Sequence, residues 1–198
     1  MIKITNVPNE KPYTLLNTFY IRALQANQNT IEAINISSYD AINFIVDSRM
    51  VNLKYILGDD WIFFSNYNSP KARQFDSHNQ ISTVFFWDNI NVQIRTKSKI
   101  RKTSHIFSDE HFYIRAHEKN ALAISSNQSS PIKSYNQIKE NYKNSLEKDD
   151  LQKRPDYWGG YSFTPYYFEF WEGHESRLNE RHIYEKKDDK WNHFILEP

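Results

Sequence analysis

The chain of 198 residues has no cysteine. That excludes disulfides, thiolate metal sites and a cysteine nucleophile, and it suits a reducing compartment. Long apolar runs are missing as well. No stretch approaches membrane-spanning length, and the opening residues, MIKITNVPNEKPY, lack the apolar centre of a signal peptide. The expectation is a cytoplasmic protein with no membrane segment. Charge of one sign is also lacking: 25 basic and 24 acidic residues give a formal net charge of +1, so no global field recruits nucleic acid or an acidic membrane. Internal repeats and low-complexity segments are absent. Glycine is scarce at 4 residues, and Gly159, Gly160 and Gly173 fall in one stretch. What is present suffices for a core, with 39% hydrophobic and 16% aromatic residues. The low mean hydropathy comes from abundant Asn, Lys and Gln rather than from disorder. The length suggests one domain.

Residues 1–13 are polar, carry Pro8 and Pro12, and read as a flexible arm before a single domain over 14–198. Thr14–Gln25 places Leu15, Leu16, Phe19, Tyr20, Ala23 and Leu24 at spacings of three and four, which predicts an amphipathic helix capped near Thr14. Short β runs follow at Ala33–Ser38, Phe44–Leu53, Trp61–Ser65, Ser82–Trp87 and Asn91–Thr103. Gly58-Asp59-Asp60 marks a hairpin turn. Serial antiparallel strands with few helices argue for a mainly β, α+β fold: a barrel with flanking helices rather than alternating βαβ units. Ser108-Asp109-Glu110 reads as the start of a helix running to about Lys119, with His111, Arg115 and Lys119 on one face. Such a face is either solvated, with Glu118 bridging to Arg115, or gathered around an anion. Ile132–Glu147 predicts a further helix that turns Ile138, Tyr142 and Leu146 to the core.

The densest stretch is Asp156–Arg181. Tyr161–Trp171 is rich in aromatics, as in a strand burying large area, between a turn at Trp158-Gly159-Gly160 and another at Glu172-Gly173-His174. Arg177 and Arg181 follow. Arginines beside an aromatic strand suit a planar anionic ligand; a core strand followed by a solvated basic turn has the same composition. Two other segments carry chemistry. In Arg49-Met50-Val51-Asn52-Leu53-Lys54, strand alternation sends one basic residue to each face. In Phe64-Ser65-Asn66-Tyr67-Asn68-Ser69-Pro70-Lys71, a strand ends and a helix begins at a candidate Ser69 cap, with a lysine beside free N–H groups that favour phosphate.

Trp158-Gly159-Gly160-Tyr161, Phe170-Trp171, Gly173, Arg177-Leu178 and Glu180-Arg181 together resemble the C-terminal signature of the pyridoxine/pyridoxamine 5′-phosphate oxidases, which are FMN-dependent. The resemblance runs from about residue 12 to the closing Trp191 and Leu196-Glu197-Pro198. It implies an FMN-binding split β-barrel that works as a homodimer, with an FMN site at each side of the interface. It also implies that Arg49, Met50, Val51, Asn52, Leu53, Lys54, Phe64, Ser65, Lys71, Gln93, Gln128, Ser129, Trp171 and Arg181 contact FMN, Gln128 and Ser129 from the partner subunit. Lys54, His111, Arg115 and Lys119 would hold a substrate phosphate, while Arg177 and Asn179 would orient the substrate at the reacting carbon. Several positions depart from the family pattern. Pro70 and Val92 stand in place of arginines, Asn179 in place of a histidine, and His111 and Lys119 in place of tyrosine and serine. The implied activity is oxidation of pyridoxamine or pyridoxine 5′-phosphate to pyridoxal 5′-phosphate with oxygen as acceptor. Two other readings share the flavin pocket: an oxidase with another substrate, as in phenazine biosynthesis, and a non-catalytic flavin-binding or flavin-reductase-like protein.

Overall fold

The computed structural model describes residues 1–198. In chain order the elements are β1 (Lys3–Thr5), α1 (Lys11–Gln25), β2 (Ala33–Asp40), β3 (Ile45–Asn52), β4 (Tyr55–Leu57), β5 (Asp60–Asn66), α2 (Pro70–Ser77), β6 (Gln80–Trp87) and β7 (Val92–Lys102). Then come α3 (His105–Ile114), α4 (His117–Ser125), α5 (Tyr135–Lys148), β8 (Trp158–Glu172), β9 (Glu180–Lys187) and β10 (Lys190–Ile195). All ten strands belong to one sheet: eight run in the order β1-β4-β5-β8-β7-β6-β2-β3, β9 pairs with β8 off that path and β10 with β9, and every pairing is antiparallel except β1 on β4. The sheet divides at β8. Its first half, Trp158–Phe163, pairs with β5, and its second half, Tyr167–Glu172, pairs with β9, while β7 runs along the other edge of both. A register shift between Lys97 and Ser98, opposite Pro165, marks the division. There the proline's missing N–H interrupts the ladder. This is the expected α+β split-barrel architecture.

The strands form because alternate residues are large and apolar on one face. Trp61, Phe63, Phe85, Trp87, Tyr161, Phe163, Phe168 and Phe170 are all buried in one cluster with Ile34, Ile36 and Leu53. Each such side chain contributes about 1.5–3 kcal/mol by leaving water. α1 lays Tyr13, Leu16, Phe19, Tyr20 and Ala23 on the same core, with the Tyr13 ring edge-on to Phe168 at 5.3 Å. The predicted hairpin at Gly58 joins β4 to β5, with Leu57 opposite Asp60 and Gly58 at φ +61°. No helix is long and apolar enough to cross a membrane.

Five local expectations change. Residues 1–13 are not a free arm: Lys3–Thr5 forms β1 and Ile2 is buried. α1 begins at Lys11 instead of at Thr14, because Pro12 is placed in the first turn, where its missing N–H costs nothing. The predicted helix over 108–119 is two helices. α3 is capped by Ser104, whose hydroxyl accepts from the Phe107 amide at 3.2 Å. Ser108 lies buried inside α3, and the chain breaks at Arg115-Ala116 before α4. α5 leaves Ile138 and Tyr142 half-buried and Leu146 exposed, so that stripe does not reach the core of this chain. Trp158-Gly159-Gly160 is strand rather than turn. β3 is an edge strand, and the stretch leading into and along it exposes Phe44, Ile45, Val46 and Met50.

Candidate functional site

β3 and the residues after it, the end of β5, the start of α2, α3, α4 and the first residue of β8 surround a cavity of about 340 Å³. Of the expected residues, Met50, Val51, Asn52, Lys54, Phe64, Ser65, Lys71, His111, Arg115, Lys119 and Gln128 line it. Asn66 and Trp158, which fall in stretches the sequence singles out, line it as well, and so do Leu122, Ala123 and Ser126, which no sequence signal marks.

One wall is aromatic. The His111 ring stacks on Phe64 at 3.7 Å between centroids, and Trp158 stacks on Phe64 at 5.3 Å. Gly160 makes this packing possible: a Cβ there would lie 2.5 Å from the Thr103 hydroxyl and 3.1 Å from the Phe64 ring. The Tyr55 hydroxyl is 2.7 Å from His111 Nδ1. Burial, with Arg115 and Lys54 nearby, holds the His111 imidazole down at about 4. It is therefore neutral at physiological pH. In the tautomer that accepts the Tyr55 proton at Nδ1, it offers an N–H donor at Nε2 and no charge.

The cations fall into two groups. Lys71, 8% exposed, reaches Ser65 Oγ at 3.2 Å and Ser69 Oγ at 3.1 Å. Burial first, and Arg49 second, lower its ammonium to about 8. Beside it, the Ser65 hydroxyl and the Asn66 amide both donate to one acceptor, Gln128 Oε1, at 3.2 Å each. Lys54, Arg115 and Lys119 form the second group. Burial lowers the Lys54 ammonium, and Lys119 and Arg115 push the same way against Glu32. Arg115, lowered by burial, lies over Trp158 with Cζ 4.9 Å from the ring centroid. None of Lys54, Lys71, Arg115 and Lys119 is ion-paired. Four cations around one cavity with no carboxylate partner are arranged for anions.

The remaining expected residues lie elsewhere. Arg49 does not line the cavity; its guanidinium donates to Ser38 Oγ at 2.6 Å, Gln74 Oε1 at 2.8 Å and the Ile36 carbonyl at 3.3 Å, under the start of α2. Leu53 is fully buried in the core. Gln128 lines the cavity of its own chain, and Ser129, at φ +67°, does not. Gln93, Trp171 and Arg181 are direct cross-strand neighbours on β7, β8 and β9. They form a row on the sheet face turned away from the core. Arg181 Nε and Nη2 donate to Oε1 of the buried Glu169, at 3.1 and 2.8 Å. Arg177, at φ +63°, sits in the loop between β8 and β9. There Asn179 Oδ1 accepts from the His174 amide at 3.1 Å, so its side chain staples the loop.

Residues 158–198 match the family described as the pyridoxine 5′-phosphate oxidase C-terminal dimerisation region. Over nearly its whole length the chain is 34% identical to the pyridoxine/pyridoxamine 5′-phosphate oxidase of Christiangramia forsetii, covering 98% of this chain and 91% of that protein. The chain belongs to the pyridoxine/pyridoxamine 5′-phosphate oxidase family. The Haemophilus influenzae oxidase of the same name is 33% identical, over 96% of this chain and 90% of that one. Among solved structures, PhzG from Burkholderia lata superposes with a TM-score of 0.90 at 22% identity, over 96% of this chain and 94% of its own. A pyridoxamine 5′-phosphate oxidase-related, FMN-binding protein from Nostoc punctiforme superposes at 0.75 and 12% identity, over 96% and 99%. At those identities the two superpositions establish the oxidase-family fold. The matched C-terminal region starts at Trp158 of the aromatic wall and contains the row residues Trp171 and Arg181.

Proposed function

We propose that the chain is an FMN-dependent oxidase that converts pyridoxamine or pyridoxine 5′-phosphate to pyridoxal 5′-phosphate with oxygen as acceptor. The observation that supports this best is the division of the unpaired cations into two groups beside one aromatic wall. Two anionic ends of two planar molecules match that division better than one small anion does.

The residues present fit a phosphate-bearing flavin. Lys71 is a buried ammonium that has only hydroxyl partners, and Ser65 and Asn66 already converge their donors on a single oxygen. A phosphate oxygen can take the same donors, with Lys71 adding charge. Bound there, FMN supplies the two-electron acceptor that protein side chains lack. Lys54, Arg115 and Lys119 then hold the substrate phosphate, and neutral His111 adds a single N–H donor. The stacked Phe64 and Trp158 rings exclude water from one side. Arg177, Asn179 and the row Gln93, Trp171 and Arg181 do not line the cavity of their own chain. In this reading a second copy brings its row to the cavity, in keeping with the family described for residues 158–198. The exposed apolar residues on and before β3 border that same cavity at Met50.

The test is the absorption spectrum of the purified protein, followed by anaerobic addition of pyridoxamine 5′-phosphate. A flavin spectrum that bleaches is expected. A protein without flavin, or a flavin that stays oxidised with both vitamers, overturns the proposal. A second reading keeps the flavin site and changes the substrate. Asn179 favours it, because its side chain is tied to the loop at His174, and so does the likeness in fold to PhzG, described in complex with tetrahydrophenazine-1-carboxylic acid. Bleaching by an aromatic carboxylic acid of that kind, and not by phosphorylated vitamers, would decide for it.

A further inference from the structure

α3 ends at Ile114 and α4 starts at His117 with neither proline nor glycine between them. Ending a helix inside a packed domain frees carbonyl groups that need donors. Asn120, fully buried, supplies them. Its Nδ2 donates to the Phe112 carbonyl at 2.8 Å and, at 3.4 Å, to that of Arg115. The same amide also reaches the Leu151 carbonyl at 2.8 Å, beyond α5. The other end of the side chain faces the site: Asn120 Oδ1 accepts from Arg115 Nη1 at 3.0 Å. That nitrogen also donates to the Lys119 carbonyl at 2.7 Å. Two scaffold oxygens therefore engage one guanidinium nitrogen, and Trp158 lies under the group. Nε and Nη2 stay free for a ligand, with their directions set.

We infer that Asn120 is the positioning residue of the substrate-anion end of the cavity and acts through Arg115. The inference rests on the reading of that end as a phosphate site. A residue that merely capped the helix break would need only the amide donors. Asn120 adds an acceptor aimed at the one arginine that enters the cavity. An arginine held before the ligand arrives loses its rotamer freedom on folding, so less is lost on binding. The backbone carbonyl of the neighbouring Lys119 is the second oxygen that holds the Arg115 guanidinium.

The experiment is a double-mutant cycle of Asn120→Ala and Arg115→Ala in the FMN-loaded protein, with pyridoxamine 5′-phosphate as substrate. FMN affinity is measured separately by fluorescence titration of flavin-free protein. Asn120→Ala is expected to raise KM about five- to tenfold, while kcat and the FMN Kd stay within about twofold. In the Arg115→Ala background the same change should move KM by less than about twofold, because the residue it acts through is gone. Equal effects in the two backgrounds overturn the inference, as does an Asn120→Ala protein with the wild-type KM beside a weakened Arg115→Ala. An Arg115→Ala protein with the wild-type KM overturns both the inference and the phosphate reading beneath it. Should Asn120→Ala fail to fold, Arg115→Lys tests the same point. It keeps the charge but cannot bridge scaffold and ligand at once, so its KM should approach that of Arg115→Ala, and a wild-type KM refutes positioning.

Discussion

Lys71→Met should make the flavin-free protein more stable and the flavin site weaker. The ammonium is 8% exposed, has two hydroxyl partners at 3.2 and 3.1 Å and no carboxylate, and lies near Arg49. Holding at about 8 a group whose ordinary value is 10.5 costs the folded state about 3 kcal/mol at neutral pH. Methionine fills similar space without charge and forfeits two hydrogen bonds worth about 0.5–1 kcal/mol net each. The remainder is a gain of about 1–2 kcal/mol, or roughly 2–8 °C in Tm for a chain of this size. FMN affinity should fall about ten- to a hundredfold, the worth of a charge-assisted contact to phosphate. The sign of the pH dependence follows from the depressed value. Between about 8 and 10.5 the unfolded chain binds the proton more readily than the folded one, so wild-type stability rises with pH through that window. The advantage of the variant is therefore full below pH 8 and disappears as pH passes 10.5. Thermal melts of both flavin-free proteins at pH 7 and pH 10, with FMN fluorescence titrations, measure each part. A variant less stable than wild type at pH 7, or one with unchanged FMN affinity, would refute the reasoning.

Arg115→Ala should raise KM for pyridoxamine 5′-phosphate by about ten- to a hundredfold with little change in kcat, since a remote phosphate binds alike in ground and transition states. Pyridoxamine, lacking the phosphate, should be a poor substrate for the wild type and no poorer for the variant; steady-state kinetics with both compounds decides. If a second copy completes the cavity, FMN should raise dimer stability by mass action, and light scattering that finds a flavin-loaded monomer contradicts this. Gly160→Ala should lose about 1–3 kcal/mol, because a Cβ there meets the Thr103 hydroxyl at 2.5 Å. The same substitution should disturb the Phe64 wall, and a variant with wild-type Tm and wild-type substrate affinity speaks against that packing.

The sequence by itself determined what depends on neighbours along the chain. Alternating apolar residues specify β2, β5, β6 and β7 to within a few residues, and the 3–4 spacing of Leu16, Phe19, Tyr20 and Ala23 specifies α1. Gly58 marks its hairpin because φ +61° suits glycine. Lys54, Lys71, Arg115 and Lys119 stand out as cations at a strand end, a helix start and a helical face, and all four reach the cavity. Tertiary structure alone decided how they reach it. The break between α3 and α4 has no local signal, since what satisfies it is the Asn120 amide, anchored partly on the carbonyl of Leu151. Trp158 belongs to the wall because Gly160 admits Phe64, and β1 exists because residues near 55 offer it an open edge. The family resemblance, not the strand pattern, implies Arg49 as an FMN contact, and within this chain its guanidinium is held by Ser38 and Gln74. His111 reads as a cation by residue type, and burial makes it neutral. Each of these outcomes depends on groups distant in sequence, whose geometry and desolvation exist only once the chain has folded.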